Sequence, residues 1–279
     1  MMNEARNQMY KKEIADYYSR RSQAYDKSAW HDRIARKLVE TARISADASV
    51  LDIATGTGMV ALYAASQLGP GGSLVGIDIS EGMIDIAKSK ILDSPINNIR
   101  FEIGDGEALQ FPLESFDWIL CGSAFIWMND LHSTLTHWKT RLKPKGRIGL
   151  NTFSENAFVT GVVAQQVLLK YGVSYLMSKP TGSAEKCHQL LEQAGFKNIE
   201  IVVDDDGSYI GLEEAKKSWV SLRQPAPGQY PHPLANMAAE QMASAQADFE
   251  QELERLNTDR GIWNEMTTFY VFGEKPAEL

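Results

Sequence analysis

The sequence predicts an α/β fold: a doubly wound, mostly parallel seven-stranded Rossmann-like sheet with an antiparallel last strand and a helical cap. Three observations predict it. Short apolar runs alternate with helical patterns from residue 49 to residue 152. The first run, Val50-Leu51-Asp52-Ile53-Ala54-Thr55-Gly56-Thr57-Gly58, ends in an acid and two glycines before a helical pattern opens at Met59. After residue 152 long apolar helical stretches separate the last strands, an insertion of roughly sixty residues, far beyond an ordinary connection.

The elements follow in order. Residues 9–19 carry a short helical pattern with Tyr10, Ile14, Tyr17 and Tyr18, and residues 19–26 read as a polar turn. Ile34, Leu38 and Val39 give a helix face before the strand at 49–54. The alanine-rich helix over 59–68 stops at Gly69-Pro70-Gly71-Gly72. A second strand, 74–78, also ends in an acid. Ser80 is placed to cap the next helix, Glu81 suits its positive end, and Met83, Ile84, Ile86 and Ala87 form its buried face. Strands at 99–103 and 116–121, a helix over 130–142 and a strand at 147–152 complete the regular part. Helical patterns then cover 155–177, 183–194, 212–222 and 237–256, with a proline-rich connection at 224–233 and strands at 196–203 and 267–272. The expected division is an N-terminal helical lid over 1–48, a cofactor-binding core over 49–152, and the end of the sheet over 153–279. Helical substrate-cap insertions are expected at about 155–180 and 211–260.

Composition narrows the function class. With 279 residues, 44% of them hydrophobic, the chain has apolar content for a full core. The net charge of -8 and the lack of any long Lys/Arg run disfavour extended contact with nucleic-acid phosphates or anionic lipid. Cys121 and Cys187 stand alone and form neither a metal-ligand pair nor a disulfide framework. The first dozen residues are polar, unlike a signal peptide, and no apolar run reaches the roughly 20 residues of a membrane helix. A soluble cytoplasmic protein without a membrane span is the expectation; the oligomeric state is not legible.

The central turn has two readings. Gly56-Thr57-Gly58-Met59-Val60-Ala61 fits the dinucleotide pattern G-x-G-x-x-G/A, which keeps an NAD(P)-dependent oxidoreductase as an alternative. Asp52 argues the other way. At the carboxyl end of the strand, facing the ligand crevice, its carboxylate repels a pyrophosphate and suits a cofactor with a positive charge and an ammonium group. Asp78 ends the next strand, where an acid takes ribose hydroxyls. The pair reads as a nucleoside joined to a cation, without phosphate.

Residues 50–58 closely resemble motif I of the class I S-adenosylmethionine-dependent methyltransferases, and the resemblance runs in order to residue 150. Gly76-Ile77-Asp78-Ile79-Ser80 resembles their ribose-binding acidic loop. Gly104-Asp105-Gly106-Glu107-Ala108-Leu109 with Phe111-Pro112 resembles their adenine-contacting loop. Phe116-Asp117-Trp118-Ile119-Leu120-Cys121 resembles their fourth-strand motif. Leu142-Lys143-Pro144-Lys145-Gly146 resembles their L-K-P-G-G turn, with Lys145 replacing its first glycine. Tyr25-Asp26 resembles the Y-D of the ubiquinone/menaquinone-biosynthesis type. The resemblance implies S-adenosyl-L-methionine as cofactor and a role for each residue. Gly56 and Gly58, with Thr55 between strand and helix, let backbone approach the methionine portion. Asp52 serves the ammonium. Asp78 takes the ribose hydroxyls, and Ile79 and Met83 pack on the adenine. Asp105 accepts from the adenine amino group, with Gly106 supplying backbone. Cys121 and Gly122 line the pocket, and Tyr17 or Tyr25 closes over the sulfonium.

Simpler readings stand beside these. Asp52 can cap a turn, Asp105 can hold a Gly-Asp-Gly turn, and Tyr17 and Tyr25 can be packing residues. Among the five histidines, His132 follows the fourth-strand loop that faces the transferred methyl in this fold, and is the candidate general base; a surface or cap histidine is the other reading. Phe125 and Trp127 are expected to shape the acceptor pocket, or to pack in the core. No metal ligands are expected, since no carboxylate follows the fourth strand as in catechol-type enzymes. Cys121-Gly122-Ser123-Ala124 also differs from the Asn/Asp-Pro-Pro-Tyr type used on nucleic-acid amines. The expected function is methyl transfer, without a metal, to a small-molecule acceptor in secondary or cofactor metabolism, with O, N or C as acceptor atom left open. A non-catalytic cofactor-binding regulatory protein is the remaining alternative.

Overall fold

Strand β1, Ser49–Ile53, is buried at every position after its first, because its apolar residues face helices on both sides of the sheet. The computed structural model describes residues 4–27, 29–92, 94, 96–175 and 179–277. Before β1 come α1, Glu4–Tyr25, and α2, Ala29–Ala42. After it follow α3 (Met59–Ala65), β2 (Ser73–Asp78), α4 (Glu81–Ile91), β3 (Ile99–Ile103), β4 (Phe116–Cys121), α5 (Leu131–Arg141) and β5 (Leu142–Phe153). The remainder is α6 (Val159–Lys170), α7 (Ala184–Gln193), β6 (Lys197–Asp204), β7 (Gly207–Ile210), α8 (Leu212–Lys217), α9 (Ala239–Leu256), β8 (Ile262–Glu265) and β9 (Thr268–Glu274).

The main sheet has seven strands in the order β3-β2-β1-β4-β5-β9-β6. Strands β1 to β5 are parallel, and β9 runs antiparallel to both β5 and β6, as the sequence predicts for the last strand. Period-two alternation sends Val50 to one face and Leu51 to the other. Val50 packs with Leu38, Ala61 and Ala87 of α2, α3 and α4. Leu51 packs with Leu135 and Trp138 of α5 and Leu191 of α7. Each face carries its own core, which is the double winding. A third core joins Val163 and Val167 of α6, Ala215 of α8 and Phe249 and Leu253 of α9 into the cap.

Four features differ from the sequence expectation. The helix expected at 9–19 runs unbroken to Tyr25, since Tyr18, the buried Ser22 and Tyr25 recur on its inner face and Ser22 bonds back to the Ser19 carbonyl at 3.0 Å. The helix expected over 155–177 is shorter, with Phe158 in a left-handed conformation at its N-cap. The insertion contains a strand pair, β7 with β8, whose partners lie about fifty residues apart in the chain and leave no local hairpin signal. Strand β5 begins at Leu142, and Lys145 takes a φ of 63°, the left-handed conformation that suits the glycine of the resembled turn. The expected helical stretch at 155–177 and the cap boundary at 180 fall partly on residues outside those described.

Candidate active site

The site is built from the chain leaving β1, β2, β3 and β4, at the carboxyl ends where an open α/β sheet forms its crevice. Beyond β1 the backbone turns sharply: Ala54, Gly56 and Gly58 all have positive φ, at 54°, 56° and 86°. The Thr55 N–H donates to the Ile77 carbonyl at 2.9 Å, tying this turn to β2. The two glycines do different work. A Cβ on Gly58 would lie 2.8 Å from Phe101 Cζ, so its bareness lets α3 sit against the sheet. A Cβ on Gly56 would meet nothing within 4 Å, because Gly56 faces a cavity.

Two carboxylates flank the turn. Asp78, at the end of β2, accepts the Gly56 N–H at 2.9 Å on one oxygen and the Ser80 N–H at 2.8 Å on the other. Burial raises its pKa, and the Ser80 and Gly56 N–H bonds oppose that rise. Asp52 is completely buried. Its Oδ2 accepts the Thr55 hydroxyl at 2.6 Å, and its Oδ1 has no hydrogen-bond partner among the described residues. Burial pushes its pKa up to about 7; the Thr55 hydroxyl and the Ala61 backbone N–H oppose this and the Asp78 charge reinforces it. A buried acceptor without a donor is costly unless a ligand supplies one.

These groups border two adjoining cavities. The larger takes in about 730 Å³, part of it open to solvent. Asp78, Ile79, Met83, Asp105 and Gly106 line it together with Ile14, Tyr18, Trp127 and Met128. The smaller encloses about 420 Å³ and is bordered by Asp52, Thr55, Thr57 and His31. Tyr25, Ala54, Gly56, Gly122 and Ser123 line both, so the cavities meet there. Tyr18 stands edge-on between Tyr25, at 6.2 Å, and Trp127, at 5.8 Å, which makes an aromatic wall beside the junction. His31 lies 4.8 Å from the Tyr25 ring, and its burial lowers its pKa.

The N-terminal helix closes the larger cavity. Lys11 Nζ reaches Asp105 Oδ2 at 2.7 Å and Glu107 Oε2 at 2.9 Å. Burial works against the Lys11 charge, but the two carboxylates outweigh it and raise its pKa. The Tyr10 hydroxyl donates to the Trp127 carbonyl at 3.1 Å and accepts the Gly228 N–H at 2.7 Å, joining lid, site loop and cap. Asp26 accepts the Thr57 hydroxyl at 2.5 Å and pairs with Lys90 at 2.6 Å, fixing the end of α1 above the glycine turn.

The structure brings together ten of the thirteen residues proposed for the cofactor: Tyr25, Gly56, Asp78, Ile79, Met83, Asp105, Gly106 and Gly122 around the larger cavity, and Asp52 and Thr55 around the smaller. Gly58 sits behind the turn as a packing position. Tyr17 bonds Arg21 at 2.7 Å and lines neither cavity; its neighbour Tyr18 takes the inward place, because the helix continues and sets the phase. Cys121 is fully buried in the sheet core with its thiol pKa pushed up, so Gly122 alone represents that pair at the cavity. Trp127 lines the cavity, whereas Phe125 is 1% exposed and packs on Trp138 at 5.7 Å, a core residue and not a substrate wall. His132 is corrected outright: it is exposed on α5, its Nε2 lies 3.3 Å from the Gln193 carbonyl, and it faces α7 and not the site. Sequence reasoning missed Lys11, Glu107, His31 and Ser123. Ser123 has a φ of 56° and is held by the buried Asn151, whose Oδ1 accepts its N–H at 2.9 Å.

Residues 50–146 match the family model described as Methyltransferase domain. A demethylmenaquinone methyltransferase of Symbiobacterium thermophilum is 32% identical over 135 residues, covering 48% of this chain and 53% of that protein. A nocamycin O-methyltransferase of Saccharothrix syringae is 32% identical over 117 residues, covering 42% of each. The chain thus spans about half the length of these curated relatives. Among solved structures, the YcgJ protein of Bacillus subtilis superposes with a TM-score of 0.58 at 18% identity, covering 88% of this chain and 99% of that one, a likeness of fold. Residues 50–146 thus carry a methyltransferase domain, similar to that of S-adenosylmethionine-dependent methyltransferases.

Proposed function

We propose that the protein is a metal-independent, S-adenosylmethionine-dependent methyltransferase acting on a small-molecule acceptor. The observation that carries this reading is the pair of joined cavities, with the strand-end acid Asp78 in one and Asp52 in the other. Asp78 borders the larger cavity and Asp52, with its unpartnered Oδ1, the smaller. Asp78 with Ile79 and Met83 offers a diol acceptor beside an apolar slot, which suits a ribose and its base. Asp52 offers a buried carboxylate oxygen to an ammonium group. The junction at Gly56, Gly122 and Ser123 falls between them, where the sulfur of the cofactor belongs. The names of the relatives refer to demethylmenaquinone and nocamycin and support a small-molecule acceptor.

The bound cofactor supplies a sulfonium methyl already activated for displacement. The protein's part is to position and to exclude water. The Tyr18, Tyr25 and Trp127 faces attract a cation and form a dry wall. Ile14, Trp127 and Met128 give the acceptor an apolar seat in the larger cavity. The lid contacts of Tyr10 and Lys11 hold α1 over that space.

The test is incubation of the purified protein with methyl-labelled S-adenosylmethionine and a panel of hydroxylated aromatic and polyketide-like compounds. Label is expected in at least one compound together with S-adenosylhomocysteine. Tight S-adenosylhomocysteine binding with no transfer to any compound, nor to the small-molecule fraction of a cell extract, supports the regulatory alternative and overturns this one.

A further inference from the structure

Within the cofactor reading above, on which this inference rests, the base of the nucleoside lies between Ile79 and Met83, and its edge meets the loop after β3. Two acids stand there. Glu107 is the more heavily used: its Oε1 accepts the Asn129 N–H at 2.8 Å, and its Oε2 accepts the Asn129 side-chain amide at 2.9 Å and Lys11 at 2.9 Å, so Oε2 has no lone pair left. Asp105 is different. Its Oδ1 accepts the Glu107 N–H at 2.9 Å and its Oδ2 accepts Lys11 at 2.7 Å, which leaves lone pairs on both oxygens. Both acids border the cavity, but the Asp105 side chain is 34% exposed against 14% for Glu107. Asp105 is therefore the acid with the greater free acceptor capacity at the base's edge.

Lys11 belongs to the lid, 94 residues away in sequence. Its ammonium sits between the two carboxylates and is itself only 21% exposed. Without it, two like charges two residues apart face one another in a half-buried site, and repulsion turns one of them away. With it, the cluster keeps one net negative charge, and the Asp105 carboxylate is pinned from both ends. A pinned carboxylate accepts from an exocyclic amino group and repels a carbonyl oxygen in the same place.

We propose that Lys11 is a positioning residue for nucleobase selectivity: it fixes Asp105 to read the exocyclic amino group of the cofactor's adenine, so that the base is read only when α1 is docked. A lysine that merely fastened the helix would weaken every ligand alike. One that aims Asp105 changes the preference between ligands.

The probes are S-adenosylhomocysteine and S-inosylhomocysteine, in which a carbonyl replaces the amino group, titrated calorimetrically into the whole protein. The wild type is expected to prefer the adenosine compound by about tenfold or more, the range of one hydrogen bond to a charged group. Lys11→Met is expected to bring that ratio close to one, mainly by weakening the adenosine compound, and Lys11→Arg to restore most of it. Lys12→Met, an exposed position paired with Asp16, is expected to leave it unchanged. Asp105→Asn, close in shape to the native residue, should lower the ratio as well and serves if Lys11→Met unfolds. Equal weakening of both compounds by Lys11→Met, or an unchanged ratio in a folded Lys11→Met or Asp105→Asn protein, overturns the proposal. So does a wild type that binds both compounds equally. A wild type that binds neither compound overturns the cofactor reading itself.

Discussion

Thr55 Oγ1 donates to the buried Asp52 Oδ2 at 2.6 Å, while Asp52 Oδ1 has no hydrogen-bond partner among the described residues. Asp52→Asn keeps the shape and removes the charge. The expected outcome is a loss of S-adenosylhomocysteine affinity of about 10- to 100-fold, the worth of a charged hydrogen bond, with the ligand-free protein as stable as before or more so. Calorimetric titration and thermal melts of the two proteins check both halves.

The same carboxyl gives a pH dependence with a definite sign. Its folded pKa of about 7 lies above the ordinary 3.8, so between these values the native state holds a proton that the unfolded chain has released. Its contribution to stability is complete below about pH 4, falls as the pH rises to about 7 and is then gone. Cofactor binding runs the other way, because the ammonium needs the carboxylate: affinity should fall as the pH drops below about 7. Asp78 also has a raised pKa and adds its own slope, so the difference between wild type and Asp52→Asn isolates the effect. Melts and titrations from pH 5 to pH 8 should show both slopes reduced in Asp52→Asn.

Gly56 and Gly58 separate binding from stability. Gly58→Ala puts a methyl group 2.8 Å from the Phe101 ring at a φ of 86°. The left-handed backbone costs about 1–2 kcal/mol and the overpacking about 1–3 kcal/mol, so its melting temperature should drop clearly. Gly56→Ala meets open space at a φ of 56°, and only the backbone term of about 1–2 kcal/mol applies. Its methyl group protrudes into the cavity, so it should lose cofactor affinity out of proportion to its stability. Melts and titrations on the pair check the contrast.

The cofactor half of this site was legible because its residues sit in local, ordered patterns. Asp52 and Asp78 lie at the carboxyl ends of their strands and Gly56 and Asp105 just beyond theirs, and a strand end fixes where the next residues face. The acceptor half was not. Tyr18 and Tyr17 are adjacent, and only the unbroken α1 decides which points inward. Lys11 meets Asp105 across 94 residues, a pairing that no local spacing encodes. Phe125 and Trp127 share one short turn, yet one is core and the other lines the cavity, since a single 3-10 turn sends neighbours to opposite sides. The strands β7 and β8 are four residues each, too short for alternation to speak.

His132 provides a negative prediction. Its ring lies on the α5 surface beside Gln193, remote from both cavities. His132→Ala should keep full methyl transfer to any acceptor found, within about 0.5 kcal/mol of stability, as for an ordinary surface substitution. A steady-state assay and a melt check it, and a large fall in turnover would restore its candidacy.

The central claim is that the turn at residues 54–58, with Asp52 and Asp78, holds a sulfonium nucleoside and not a dinucleotide. The most direct measurement is calorimetric titration of one protein preparation with S-adenosylhomocysteine and, separately, with NADH. The account predicts one saturable site for S-adenosylhomocysteine, abolished or greatly weakened in Asp78→Ala, and no binding of NADH. Saturable NADH binding with no heat from S-adenosylhomocysteine would contradict it.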